Sequence, residues 1–382
     1  VLTEQQLEAV LKIIQRRFDS LNTVYIRKIA EQIKKIGGLS QSSINRLTVM
    51  AEVTSDVTEI TRMLANATAL TIPEIYGIYQ QAAQQAYTDD RFKSAFVSNP
   101  QALSRVEPRV NWLANAMARQ TASMITNISN TTLVSRTYRD AVDTAITAVS
   151  SGLADYKAAT RTALRAVGYN GMVVQYPSGY RRRLDTAIRQ NVINGVNQIA
   201  QQGAMIAGEE LGYDAVELSA HLRSAPDHEP VQGRVFLTAE FEKMQAGLPF
   251  VDVDGNAYLA FKRPIGEWNC MHIPLPFSTK HSVRRYTDAQ LKDWKDRNDD
   301  GCDIDGKHYT TYAAGQLMRK METEVRRLKD TANAARIAGD DVLRRQCQTQ
   351  INAISAKYAQ ISSLSGIKQR RDRMVVEDFK AV

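Results

Sequence analysis

The residues whose types and spacing could bind a metal, move a proton or act as a nucleophile are His221, Asp227, His228, Cys270 and His272. The tripeptide Cys270-Met271-His272 puts a thiol and an imidazole on the same side of an extended segment. His221 ends an alternating, strand-like run, and Asp227-His228 sits on a loop after Pro226. His221, His228, Cys270 and His272 are donors of the borderline-to-soft kind that would close a tetrahedral structural zinc site. Their spacing lacks the paired C-x-x-C form typical of such sites. The simpler reading is therefore a buried hydrogen-bond network with no cofactor, in which Asp227 orients an imidazole and Asn269 bonds backbone.

The alternative from another class is a metal-dependent nuclease or hydrolase centred on His228, Asn269, Cys270 and His272. The series Asp227-His228, Gly233 and Asn269 is similar to that of the ββα-metal nucleases, in which a histidine activates water and a divalent ion stabilises the leaving oxygen. That fold requires a helix directly after the asparagine, and Pro274 and Pro276 forbid one here. Asp296 to Gly301 opens like an EF-hand loop, but Asp303 and Lys307 stand where the loop needs an apolar residue and a glutamate, so the run reads as an acidic turn between helices. Phosphate-binding glycine loops, G-x-S-x-G elbows and H-E-x-x-H pairs are absent from the sequence. No enzyme is expected.

The elements around these residues follow from hydrophobic period. Residues 1–167 read as a helical N-terminal region. Leu7, Val10, Leu11, Ile14, Phe18 and Leu21 share a face, as do Ile26, Ile29, Ile33 and Ile36, with Gly37-Gly38 as a stop. Ser40 is placed to cap the next helix, and Thr71-Ile72-Pro73-Glu74 has capping-box spacing that predicts another start. Asn99-Pro100 and Glu107-Pro108 predict breaks. The small residues from Val110 to Ala166 suit closely packed helices or pairing with another protein. Residues 168–285 form an α+β module with a leading helix, whose stripe is Leu184, Ile188, Val192 and Val196. Arg181, Arg182 and Arg183 at its start oppose the helix dipole, which leaves two readings, a solvated face or contact with an outside anion or acidic partner. AVELSAHLR, GRVFL and FVDVDGNAYLAF supply strands, the last a hairpin turning at Asp254-Gly255. Ile273 to Phe277, with two prolines, is excluded from helix interiors and central strands. Residues 286–382 read as a basic helical hairpin arm: Leu317, Met321, Val325 and Leu328 on one helix, Leu343, Cys347, Ile351, Ile354, Tyr358 and Ile361 on the next, joined near Gly339. The fold class is mainly α with a small α+β module.

Composition narrows the class. The 382 residues are 43% hydrophobic and 24% charged, within the range of globular proteins. No run is long and apolar enough to span a membrane. Val1 in place of Met implies that an initiator or longer leader is missing from the chain. Cys270, Cys302 and Cys347 are far apart and odd in number, which argues against a disulfide framework and for a reducing compartment. The formal charge is +8, and most of the surplus lies after Lys280, which suggests an anionic neighbour.

Laid end to end, the motifs resemble those of phage minor capsid proteins of the head-morphogenesis group, related more distantly to Mu-type head proteins. The resemblance rests on Tyr176-Pro177-Ser178-Gly179-Tyr180-Arg181, on a loop from His221 and Arg223 through Asp227-His228 to Gln232-Gly233, and on Trp268, Asn269, Cys270, His272, Pro276 and Phe277. Tyr286-Thr287 and a helix with Tyr312, Gln316, Arg319, Glu322 and Arg326 complete it. It covers roughly Tyr156 to Val376, and the first 150 residues share only helicity. The resemblance implies a low-copy structural virion component, made in the bacterial cytoplasm and lodged in the capsid interior or at the portal vertex. It also implies portal or major capsid protein as partners, an oligomer around the portal, non-specific contact with packaged double-stranded DNA, and no membrane.

Overall fold

The computed structural model describes residues 4–37, 46–88, 90–130, 134–150, 156–176, 178–266, 270 and 272–382. It is 70% helical, with eleven helices and four small antiparallel sheets among the described residues, in agreement with the expected class. The chain divides into two compact units, each assembled from separated segments. No helix among the described residues is long and apolar enough to cross a membrane.

One unit comprises Val1–Leu11, Ile72–Met124 and Arg189–Ala313. Its mixed module is the part that positions the histidines. Strand β3 (Ala215–Leu218) is central in a three-stranded sheet, between β4 (Val235–Leu237) and β7 (Pro274–Phe277). The register pairs Ala215 with Leu237 on one side and with Phe277 on the other. The two prolines thus lie on an edge strand, where a missing N–H costs no ladder bond. The expected alternation along β3 fails, because all four residues are buried. Glu217 is tolerated there since its carboxylate accepts the Arg285 and Tyr286 amides at 2.7 and 3.4 Å, while burial raises its pKa. Strands β5 (Phe250–Val251) and β6 (Ala257–Tyr258) form the predicted hairpin. Its turn is held by Asp252, which accepts the amides of Asp254 and Asn256 and the Tyr258 hydroxyl. Phe236, Phe250, Met244, Val216, Leu218 and Ile265 make the module's core, and Cys270 closes it.

Helix α7 (Leu184–Glu210) seats this module. At Gly208 a side chain would collide with Pro276, at 2.5 Å from its Cβ, so only glycine lets the strand lie against the helix. Helix α4 (Pro100–Asn130) buries Ala102, Val106, Val110 and Ala114 on one face. Pro100 opens it as expected, but Pro108 lies inside it, and the break predicted there does not occur. The acidic run after Asp296 ends helix α9 (Asp288–Asp300) and leads into the hairpin of β8 (Cys302–Ile304) and β9 (Lys307–Tyr309). It is neither a calcium loop nor a turn between helices. Its charges are absorbed by i,i+4 pairs such as Lys295–Asp299.

The other unit comprises Lys12–Thr71, Ile125–Ile188 and Ala314–Val382. Helix α1 (Glu4–Gly37) buries Ile14, Phe18, Leu21, Tyr25, Ile29, Ile33 and Ile36, and ends where the glycines predict. Helix α2 (Arg46–Thr88) runs through Pro73, so no new helix starts at Thr71. The Thr71 hydroxyl instead donates to the Ala67 carbonyl at 2.8 Å. The cap assigned to Ser40 lies outside the described residues. Strands β1 (Val173–Gln175) and β2 (Arg181–Arg183) form a short ribbon.

Helices α10 (Thr311–Ala338) and α11 (Asp341–Ser365) form the predicted hairpin, with Gly339 at φ 78° and Asp340 capping the Leu343 amide at 3.0 Å. On α11 the predicted stripe is buried, apart from the half-buried Ile354. On α10 the inward face is shifted: Ala314, Met318, Val325 and Leu328 are buried, whereas Leu317 and Met321 are only partly so. Nor is the hairpin a detached arm. Asp330 of α10 is buried against Arg183 and Asn22, and Gly168 lies so close to Thr331 that an added Cβ would stand 2.4 Å from its Cα.

Candidate functional site: a buried histidine–cysteine knot

Beyond β3 the chain turns through a loop that is tied back twice. The Ile273 amide donates to Ser219 Oγ at 2.8 Å, and the Ser219 amide donates to the Ile273 carbonyl at 2.9 Å. The His228 and Glu229 amides share the Ala225 carbonyl, which starts a 3₁₀ turn over Glu229–Val231. Gly233 then adopts φ 68° and packs so tightly that a Cβ would stand 2.6 Å from Leu291 Cδ2.

These constraints bring His228, Cys270 and His272 together, with relative exposures of 0%, 3% and 2%. Cys270 Sγ lies 3.2 Å from His228 Nδ1 and 3.4 Å from His272 Nδ1. The other nitrogen of His228, Nε2, donates to the Arg263 carbonyl at 2.8 Å, which leaves Nδ1 without a proton. His272 Nε2 faces Ser224 Oγ at 3.3 Å and Gln232 Oε1 at 3.5 Å. Gln232 Oε1 also accepts the His221 amide at 3.0 Å, so this one side chain joins the two loops.

His221 stands beside the trio. Its ring stacks on that of His272 at 4.5 Å between centroids, and its Nε2 is buried without a partner. The Asp227 carboxylate stands 3.7 Å from His228 Nε2, beyond hydrogen-bond length. It takes a two-pronged grip from Arg263, at 2.7 and 3.0 Å. Arg223 is exposed, and Phe277 is buried on β7 against Ala215 and Val235. Trp268 and Asn269 lie outside the described residues.

Burial sets the electrostatics. It pushes the pKa of His221 and His228 down, and holds His272 down at about 2 with help from the neighbouring imidazoles. It also pushes the Cys270 thiol up. The three side chains His228, Cys270 and His272 are buried together. The trio is suited to bonding its own loops, or to holding a metal within the knot.

The arginine triplet divides. It lies on β2, before the helix, and its members face different ways. Arg181 is exposed and Arg182 reaches over the Tyr180 ring. Arg183 is 7% exposed and bound to Asp330 at 2.6 Å and Asp185 at 3.3 Å. The expected contact of Arg183 with an outside anion is therefore wrong, because three carboxylates of its own chain surround it. Arg326 completes this buried cluster, bonding Asp185 and, at 2.9 Å, Asp19. A neighbouring signature residue, Glu322, accepts the Tyr358 hydroxyl at 2.7 Å. Sequence reasoning missed Ser224 and Arg263 altogether, for no spacing singles out a serine or a backbone carbonyl as an anchor.

Fold and site together define a mainly helical protein whose small mixed module is drawn tight by a buried polar knot. The sequence profile of phage minor capsid protein 2 matches residues 2–361, and the chain belongs to that family. The match takes in the N-terminal helices, which the motifs alone leave out. It makes the chain a structural protein of the phage head and implies the virion as its location. No curated protein and no solved structure matches.

Proposed function

We propose that this protein is a non-catalytic assembly component that docks on the portal or the inner face of the coat and lies near the packaged genome. The observation that carries this reading is the family membership, joined to a block of signature residues that is turned inward. His228, Cys270, His272, Gln232, Gly233, Glu322 and Phe277 are all buried. A buried block of this kind holds the module in one shape, which suits docking. The nuclease alternative loses support as well, since His228 Nε2 is bonded to a backbone carbonyl and the described residues between Cys270 and β7 include no helix.

Contact with DNA draws on the surface of the second unit, where Lys320, Arg345, Lys368, Arg371 and Lys380 are exposed. Such contact is electrostatic and weakens steeply with salt. Docking is tested by co-expressing the chain with its phage's portal and coat proteins. Incorporation into procapsids should require the portal and survive changing those cations to glutamate, while DNA retention should drop. Incorporation that is independent of both portal and coat, or DNA retention unaffected by the charge reversal, contradicts the respective half. Point changes are preferable to deleting residues 280–382, because that deletion removes α10, whose Asp330 is buried in its unit.

A further inference from the structure

We propose that His228, Cys270 and His272 bind one zinc ion, which staples the loop after β3 to the segment leading into β7. One donor atom from each residue lies within 4.8 Å of the other two. Ligands held at ordinary bond lengths around a tetrahedral zinc stand about 3.3–3.8 Å apart. The two sulfur–nitrogen separations, 3.2 and 3.4 Å, are already close to that spacing, so the ion enters with small adjustments.

The proton count favours an ion over a purely hydrogen-bonded knot. His228 gives its only ring proton to the Arg263 carbonyl. His272 Nε2 faces Gln232 Oε1, which can only accept, and the Ser224 hydroxyl. With its proton on that side, the Nδ1 lone pairs of both imidazoles converge on one thiol, which has one hydrogen to offer. Arg263 Nη2 approaches His228 Nδ1 at 3.4 Å, but its short contact, 2.7 Å, is with Asp227. Replacing the thiol proton by zinc satisfies both lone pairs and the sulfur together, and releases that proton to solvent. The bond from His228 Nε2 to a carbonyl is the usual means of fixing the tautomer and orientation of a histidine ligand. The fourth position is left to water.

A thiolate with two imidazoles is a borderline donor set suited to zinc and unsuited to magnesium or calcium. Its role here is structural. His228 and Cys270 are 42 residues apart in a module built of short strands, and joining them closes a long loop. The inference rests on this geometry and not on the docking role, so its failure leaves that role standing.

The test uses the full chain, expressed without a histidine tag in zinc-supplemented medium and dialysed against metal-free buffer. Elemental analysis should find about one zinc per chain, falling to roughly a tenth or less in Cys270→Ser and His228→Gln. Cys347→Ser, which removes a buried thiol outside the site, should keep the ion. Cobalt substitution should give a sulfur-to-cobalt charge-transfer band that Cys270→Ser lacks. Should the ligand variants fail to fold, chelation of the wild-type protein decides: its melting temperature should fall and be restored by Zn2+ but not by Mg2+. A wild-type chain that carries no zinc and takes up neither Zn2+ nor Co2+ overturns the proposal. So does full zinc retention by folded Cys270→Ser, or melting unchanged by chelation.

Discussion

Arg183→Ala is the most informative single change outside the knot. The wild-type side chain sits among Asp19, Asp185 and Asp330, with Arg326 as the second cation. Three carboxylates face two guanidiniums, and burial with the neighbouring Asp185 charge lifts the Asp19 pKa to about 7. Removing Arg183 strands Asp330, which is 2% exposed and bonded to it at 2.6 Å. Breaking one partner of a buried pair costs about 3–5 kcal/mol, whereas an outward-facing arginine costs within about 0.5 kcal/mol. Urea unfolding at about pH 8 should show that loss in the transition of the second unit. Arg181→Ala should lie within about 0.5 kcal/mol of wild type. In the double change with Asp330→Ala, the losses should fall short of their sum by about 1–3 kcal/mol. A near-neutral Arg183→Ala, or strict additivity with Asp330→Ala, would refute the buried cluster and return Arg183 to the surface.

Other outcomes follow from the same packing. Asp19 has its folded pKa raised to about 7 from 3.8, so the folded state holds the proton longer, and the stability this group contributes falls as pH rises from about 4 to about 7. Asp19→Asn should therefore gain on wild type across that window, by up to about 1.4 kcal/mol per pH unit in denaturant titrations; a gain independent of pH would contradict it. Gly233→Ala combines a left-handed backbone with a Cβ at 2.6 Å from Leu291 Cδ2 and should cost about 2–4 kcal/mol by calorimetry, partly relieved by Leu291→Ala. Tyr358→Phe removes the bond to Glu322 at 2.7 Å and the acceptor of the Arg370 amide at 2.8 Å, for a loss of about 1–3 kcal/mol in urea unfolding.

Elements with a strong local signature could be read directly. The stripe on α1, the Asp254-Gly255 hairpin and the glycine between α10 and α11 each follow from period or turn chemistry. Pro73 and Pro108 misled, because a proline costs a long helix one hydrogen bond and some crowding, which tertiary packing can outweigh. The strand alternation failed at Glu217 because its acceptors are met by amides 68 and 69 residues away. For the same reason Arg183 looked like a surface cation, with Asp330 lying 147 residues further on. Within the knot, residue types and the two-residue offset of Cys270 and His272 pointed to three of the members. Their anchors, Ser224 and the Arg263 carbonyl, carry no sequence mark, and neither does the grip of Arg263 on Asp227, 36 residues away.

The central claim is that this chain is a structural protein of the phage head. Quantitative mass spectrometry of purified virions, before and after DNA release, measures it most directly. The account predicts the chain in finished virions, in the same number when Arg263→Ala frees Asp227 from its clamp. Absence of the chain from finished virions would contradict the account.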